Sequence, residues 1–469
     1  MANTDETDTS NMRLQRAEKG TGNTVSMTAA QILSRKADLE ASKTRIFKIV
    51  KLPDGQLAPQ PTTMDFVESL ASSELDKKQF VVHKDWESRI PSRAPVLNLT
   101  EEIDPMVEKL RSYAMVPPEE RIVEVSKIRL TIDELRKSEV SPYEKAEAIM
   151  DAIKNTFCIN AVTLKHTESE VTETERSLAN EAKSVVNSVV ALNDEEDFAS
   201  AYFQAFGSLS NGQTLNHIQR VFSMMVSFLK YYRQLHQKRI GQGIRMVFND
   251  CYLPFYKKLF PTMEEIQLTA DNMVQLVPFT PPDVKEFALG AFLHDIGKMA
   301  NFDYFESDQG YDPKQIREHV YVGAIMVQLN YGREHDRARL MTGDHHNALF
   351  HKDGYSVTRV DRAGKPGLKE PVRCITASFD EYDSGLALGY LPTEMIAVVD
   401  IYDAMTDASR TYKKAMSPTE AVTFILDKQV SSGKLDPILV DIFIDFLRES
   451  GQELPAELGF THKFLHRHK

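Results

Sequence analysis

The segment EFALGAFLHDIGK, residues 286–298, carries a histidine and an aspartate, His294 and Asp295, at the end of an apolar run. Such a run predicts a buried helix, where both polar side chains would lose their water without a compensating partner. A metal ion would satisfy both, because neutral imidazole and carboxylate oxygen are common ligands of Fe, Mn and Zn. For the dipeptide alone, two buried residues hydrogen-bonded to the backbone are the favoured interpretation.

Histidines are concentrated around this dipeptide. Six of the thirteen histidines lie between residues 294 and 351, and His345 and His346 are adjacent. One aspartate can bridge two ions, because each of its oxygens has a free lone pair. The sequence therefore permits a site with two metal ions.

A chain of 469 residues exceeds what one hydrophobic core normally supports. The pattern of apolar and polar residues divides it into several segments. Two strand patterns, RIFKIVKL and KQFVVHKDW, precede helical patterns, and one helix has a clear start at the capping box of Ser141 and Glu144. The second half is almost continuously helical in pattern. The expected segments are a flexible N-terminal arm (1–44), a smaller α+β domain (45–195), an all-α bundle (196–455) and a basic C-terminal tail (456–469). We therefore expect a mainly α protein.

Residues 350–391 interrupt the helical pattern. Gly, Pro, Lys, Arg and Asp accumulate there without a persistent period, which predicts a long functional loop. Its basic residues indicate a lid over an anionic ligand, and a solvated basic loop is the alternative. These residues are Arg359, Arg362, Lys365, Lys369 and Arg373.

Charge and composition exclude other classes. The net charge of -12 disfavours binding to a nucleic-acid polymer or to anionic lipid. No apolar stretch reaches the roughly 18 residues that a membrane span needs, and the N-terminus lacks the apolar core of a signal peptide. The three cysteines show no CxxC spacing and suit a reducing compartment. We expect a cytoplasmic protein that does not bind membranes.

HDIGK at 294–298 is followed by His319 in EHVYVGA, by DHH at 344–346, by Asp353-Gly354 and by DIYDAMTDASRTYKK from Asp400. This order of motifs resembles the HD-GYP subfamily of the HD phosphohydrolase superfamily. The resemblance covers roughly residues 200 to 450. It implies an HD-type helical bundle with a metal site, which hydrolyses cyclic di-GMP to a linear dinucleotide.

The resemblance also implies roles for individual residues. Asp295 would bridge two divalent transition metal ions, Fe or Mn, and Asp403 would orient a ligand. The implied metal ligands are His217, His294, Asp295, His319, His345, His346 and Asp400. The implied phosphate contacts are Lys298, Arg410 and Lys413, and the implied catalytic residues are Lys298, Asp295 and Asp403. From the residues alone, a histidine such as His217 on an apolar helix is more often a satisfied core residue than a ligand, and a solvated or capping aspartate is an equally fair interpretation of Asp403.

The chain departs from the subfamily at several positions. The GYP triplet is absent, the HHE triplet ends in Asn347, and Gln213 stands where members with a third metal have an acid. Because an amide is a poor ligand for a divalent cation, we predict two ions and not three.

The sequence thus predicts a metal-dependent cyclic-dinucleotide phosphodiesterase. Its N-terminal domain would be regulatory and would receive a protein or small-molecule input. Two alternatives remain open: a catalytically inactive cyclic-dinucleotide receptor or adaptor, and another phosphohydrolase of the HD superfamily that acts on nucleotides.

Overall fold

The structure, a computed structural model, resolves the chain into two compact units, residues 1–103 and 104–469. The second unit is mostly helical. The residues that the structure describes are 24–34, 36, 46–51, 57–62, 64, 67, 69–70, 79–83, 105–164, 171–195, 198, 202, 214–238, 240–298, 313–349, 354–358, 373–407 and 415–459.

The described residues of the first unit form an antiparallel sheet of order β1-β4-β2-β3 and include a short helix. Strands β2 and β4 lie within the two segments with strand patterns, whereas β1 and α1 lie within the expected arm. Their bounds are β1 Thr24–Thr28, α1 Ala29–Ser34, β2 Ile46–Lys51, β3 Leu57–Thr62 and β4 Gln79–His83. The α+β character of an N-terminal domain at 45–195 stays a prediction, and most of the arm lies outside the described residues.

The second unit contains the remaining helices and a two-stranded sheet. The helices that precede the HD dipeptide are α2 Pro105–Ala114, α3 Pro118–Lys137, α4 Pro142–Thr163, α5 Glu173–Asn193, α6 Thr214–Gln237, α7 Ile240–Cys251, α8 Leu253–Leu259, α9 Ala270–Met273 and α10 Pro281–Leu293. The elements that follow it are α11 Pro313–Tyr331, α12 Asp336–Asp344, β5 Arg373–Thr376, α13 Phe379–Asp383, β6 Ala387–Tyr390, α14 Leu391–Thr406, α15 Pro418–Phe424 and α16 Pro437–Glu449. Short 3-10 turns occur at Glu265–Gln267 and Arg333–His335, and a π-helical turn at Ile425–Val430 follows α15.

Capping residues define where several of these helices begin. The Ser141 hydroxyl accepts a hydrogen bond from the Glu144 amide, and the Glu144 carboxylate accepts one from the Ser141 amide. This reciprocal arrangement satisfies two amides that have no partner within the helix. The capping box predicted at the start of α4 is therefore confirmed.

The helices before residue 195 share a core with those that follow. Helix α4 packs on α6, and α5 packs on α10 and α11. Phe157 contacts Phe292 edge to face with ring centroids 5.7 Å apart, and the Asn160 amide donates to the Tyr331 hydroxyl over 2.6 Å. The compact units therefore divide at 103/104, not near residue 195. A functional division near residue 195 stays a prediction.

The expected loop at 350–391 is partly regular structure. Strands β5 and β6 pair in parallel, and Val274 forms a bridge to Ile375. Cys374, Ile375, Ala387 and Tyr390 are buried. The prediction of a lid is therefore wrong for residues 373–391, because strands of four residues are too short to show a period. Residues 359–372, with the other four lid cations, lie outside the described residues.

No helix among the described residues has both the length and the apolar character needed to cross a membrane.

A buried acidic group lies near the start of α14. Glu394 is inaccessible to solvent, and neither of its carboxyl oxygens has a hydrogen-bond partner among the described residues. Burial, and then the negative charges of Asp436 and Asp344, raise the pKa of Glu394 well above its usual range. The folded protein therefore holds the proton of this carboxyl to a higher pH than the unfolded chain does.

We predict that Glu394 makes the protein less stable as the pH rises. The carboxyl ionises near pH 4 to 5 in the unfolded chain and at higher pH in the folded protein. Between these two pKa values folding takes up a proton, and each pH unit removes up to about 1.4 kcal/mol of stability. Urea unfolding between pH 5 and 8 should show a smaller loss of stability in Glu394→Gln than in the native protein. Glu318→Gln, at an exposed glutamate of α11, is the matched control. Equal pH slopes in native protein and Glu394→Gln would contradict the assignment.

Candidate metal centre

The HD dipeptide lies at the end of a buried helix. Helix α10 ends at Leu293, His294 caps it, and Asp295 begins the turn that leads to Lys298. Both His294 and Asp295 are inaccessible to solvent. The His294 Nδ1–H donates to the Ala291 carbonyl over 2.8 Å, because a carbonyl can only accept, and Nε2 keeps its lone pair.

Three histidines form a first cluster, which we call the His319 cluster: His319, His345 and His346. One ring nitrogen of each lies within 4.8 Å of those of the other two. The Nε2 atoms of His319 and His345 are 3.2 Å apart. The His345 Nδ1–H donates to the Thr342 carbonyl over 2.9 Å, which turns its Nε2 toward the cluster.

A second cluster, the His217 cluster, comprises His217, His294 and Asp400, whose candidate ligand atoms also lie within 4.8 Å of one another. His217 comes from α6 and Asp400 from α14. The His217 Nε2 lies 3.0 Å from the Asp400 Oδ1. All three side chains are buried.

The Asp295 carboxylate lies between the two clusters. Its Oδ1 is 3.4 Å from the His319 Nε2 and 3.8 Å from the His345 Nε2. Its Oδ2 is 3.5 Å from the Nε2 atoms of both His217 and His294. Each oxygen thus faces a different cluster, which is the arrangement that a carboxylate bridging two ions requires.

A second layer of side chains orients His217. The His217 Nδ1 is 2.7 Å from the Asp403 Oδ2. Arg220 donates to both oxygens of Asp403, over 2.5 and 3.0 Å, and pairs with Asp407 at 2.8 Å. A carboxylate bound to the far nitrogen fixes the ring and the tautomer of a metal-binding histidine. Asp403 therefore faces His217 and Arg220, where it can position a ligand.

Two glycines allow the HD turn to approach α11. A side-chain carbon on Gly297 would overlap the His319 carbonyl and lie 2.5 Å from the Gly323 amide nitrogen. A side-chain carbon on Gly323 would lie 3.3 Å from the Gly297 nitrogen. This close contact brings the segment with Asp295 and Lys298 against the helix that carries His319.

The electrostatic environment keeps most of the histidines neutral. Burial lowers the pKa of His294, lowers that of His345 further, and lowers that of His346 to about 4. Burial also opposes the charged form of His217, but hydrogen bonds to Asp400 and Asp403 outweigh it and raise its pKa to about 9. Neutral imidazoles have the lone pairs that metal ions need.

Asp295 and Asp400 are held in the ionised form. Burial disfavours the charge on Asp295, but Lys298 and the nearby histidines outweigh burial and hold its pKa well below the usual range. His217 and His346 have the same effect on Asp400. The Lys298 ammonium pairs with the Asp295 Oδ2, and 24% of its side chain is exposed.

These observations test whether a metal ion fits the site. The His294 Nε2 and the Asp295 Oδ1 are buried without a hydrogen-bond partner among the described residues. Buried polar atoms are rarely left unsatisfied, and both point into a region rich in nitrogen and carboxylate donors. The residues present therefore fit divalent metal ions.

The structure brings together all seven predicted ligands. Arg410, Lys413 and Gln213 lie outside the described residues. Sequence reasoning missed Arg220, although an arginine one turn after His217 on an apolar helix was a signal that its charge needed a buried partner. It also gave no role to Tyr355, whose ring lies 4.7 Å from that of His346.

Replacing Gly297 with alanine should separate the HD turn from α11. We expect a loss of about 1–3 kcal/mol in stability from overpacking, together with weaker metal binding. Gly241→Ala is the control, since its nearest neighbour would be the Arg245 guanidinium at 3.9 Å. Thermal unfolding and metal titration measure both effects. A Gly297→Ala protein with native stability and metal affinity would contradict the proposed close contact.

Comparison with known proteins gives one result. A family model of the HD domain matches residues 263–383. This segment includes His294, Asp295, His319, His345 and His346, whereas His217 and Asp400 lie outside it. Neither the curated proteins nor the solved structures gave a match. The chain therefore contains an HD domain, which supports membership of the HD phosphohydrolase superfamily and indicates a metal-dependent hydrolase.

Proposed function

We propose that the protein is a phosphodiesterase that hydrolyses a cyclic dinucleotide, cyclic di-GMP above all, to a linear dinucleotide. The observation that carries the proposal is the position of the Asp295 carboxylate, with one oxygen toward each cluster. A bridging carboxylate between two donor sets suits the paired ions used in hydrolysis of phosphate esters.

The residues assigned to the ions follow from the two clusters. His319, His345 and His346 would hold one ion, His217, His294 and Asp400 the other, and Asp295 would bind both. Fe or Mn suits this set better than Mg, which prefers oxygen ligands in octahedral geometry. Such ions polarise a phosphoryl oxygen and lower the pKa of water.

Lys298 is a cationic side chain beside the metal ligands, and part of it is exposed to solvent. Its ammonium is held beside Asp295, so it lies at the edge of the site where a phosphate would enter. From there it would stabilise negative charge that develops on the phosphoryl oxygens. We therefore infer that Lys298 stabilises the transition state and does not bind a metal ion.

The resemblance to the HD-GYP subfamily supports the choice of substrate. In this proposal Arg410 and Lys413 contact the second phosphate, and an α+β N-terminal domain has a regulatory role. Its input would come from a protein or a small molecule. The protein would thereby act in cyclic-dinucleotide signalling in the cytoplasm.

The protein should bind about two transition metal ions per chain, and the ligand variants should separate them. His319→Ala should weaken the binding of one ion, and His217→Ala should weaken the binding of the other. Asp295→Asn should weaken the binding of both ions. Elemental analysis after purification without chelator provides the measurement. His236→Ala is the control, because His236 lies on α6 with His217 but in neither cluster. A stoichiometry of three, or no bound transition metal, would contradict the proposed centre.

Lys298→Ala should keep both ions and lose turnover of cyclic di-GMP by about a hundredfold or more, since one charge-stabilising donor contributes on that order. Product analysis by chromatography with Fe(II) or Mn(II) present measures the rate. Binding without any hydrolysis in the native protein would favour a receptor. Hydrolysis of a nucleotide but not of the cyclic dinucleotide would favour another HD phosphohydrolase.

A further inference from the structure

Among the described residues, two cations beside the metal centre are paired with carboxylates. Lys298 pairs with Asp295, and Arg220 is buried against Asp403 and Asp407. Because the whole chain has a net charge of -12, an anionic substrate needs a cation close to the site that is still available to it.

Arg317 on α11 has this property. It is exposed, it lies two residues before His319, and it forms no ion pair with a carboxylate among the residues that the structure describes. Its guanidinium carbon lies 5.6 Å from the centroid of the Tyr355 ring, within the range of a cation–π interaction. An aromatic neighbour limits the freedom of the guanidinium and leaves its N–H groups able to donate to a ligand.

Tyr355 connects Arg317 to the metal centre. Its ring lies 4.7 Å from the His346 imidazole with an angle of 35° between the planes, and its backbone N–H donates to the His346 carbonyl over 3.1 Å. The same ring meets His319 edge to face at 6.4 Å. Arg317 is thereby held on the side of the site formed by the His319 cluster.

We propose that Arg317 binds the second phosphate group of the substrate together with Arg410 and Lys413, next to the phosphate that lies at the metal ions. A guanidinium donates two parallel hydrogen bonds to phosphate oxygens, which a lysine cannot reproduce. This inference rests on the proposed function and deepens it, because such a contact selects substrates with two phosphates over simple phosphodiesters. A solvated surface arginine is the alternative that the experiment must exclude.

The test compares two substrates in metal-loaded protein. Cyclic di-GMP carries two phosphates, and bis(4-nitrophenyl) phosphate carries one. Arg317→Ala should raise KM for cyclic di-GMP by about tenfold or more, the loss expected for charge-assisted hydrogen bonds, with kcat changed much less. KM for bis(4-nitrophenyl) phosphate and the metal content should stay as in the native protein. Arg317→Lys should recover only part of the loss.

Arg333→Ala is the matched control, because Arg333 is also exposed and lies just beyond the opposite end of α11. It should leave KM for both substrates unchanged. Three results for Arg317→Ala would overturn the inference: an unchanged KM for cyclic di-GMP, an equal rise in KM for both substrates, or a loss of metal. The proposed function would still stand in these cases if the native protein hydrolyses cyclic di-GMP. If native protein neither binds nor hydrolyses cyclic di-GMP, the proposed function fails and this inference fails with it.

Discussion

The burial of the Asp295 carboxylate is the constraint on which the rest of the site depends. An ionised carboxylate without water is strongly unfavourable unless positive charge or metal ions compensate it. Around Asp295 the chain supplies one ammonium group and four imidazole nitrogens within 4 Å. Segments from α6, α10, α11 and α12 must therefore meet at this carboxylate, and their packing is arranged around it.

The clusters owe their geometry to neighbouring groups that do not themselves face the site. Backbone carbonyls of Ala291 and Thr342 fix two imidazoles, and Asp403 fixes a third. Arg220 in turn neutralises Asp403, so that a further buried carboxylate does not remain uncompensated. Preorganised ligands lose little conformational entropy when an ion binds.

The sequence predicted the parts of the site that local chemistry determines. An apolar run that ends in His294-Asp295 identified buried polar groups in need of partners, and the pair His345-His346 belonged to a cluster of histidines. The structure brings these residues together. Arg220 was missed because its partner Asp403 is 183 residues away, and no local pattern joins them. Strands β5 and β6 were missed for a different reason, since each has only four residues, too few to establish a period.

The packing of α4 and α5 against the helices of the metal centre has a consequence for how the chain can be divided. Phe157 fills space against Phe292, two residues before His294, and the Gln219 amide, from the helix of His217, donates to the Met150 carbonyl over 2.6 Å. A fragment that began at residue 196 would open this interior to water and leave the Gln219 amide without its acceptor. The support of the metal centre thus extends upstream to α4 and α5, and a cut of the chain at residue 195 would remove packing on which the site depends.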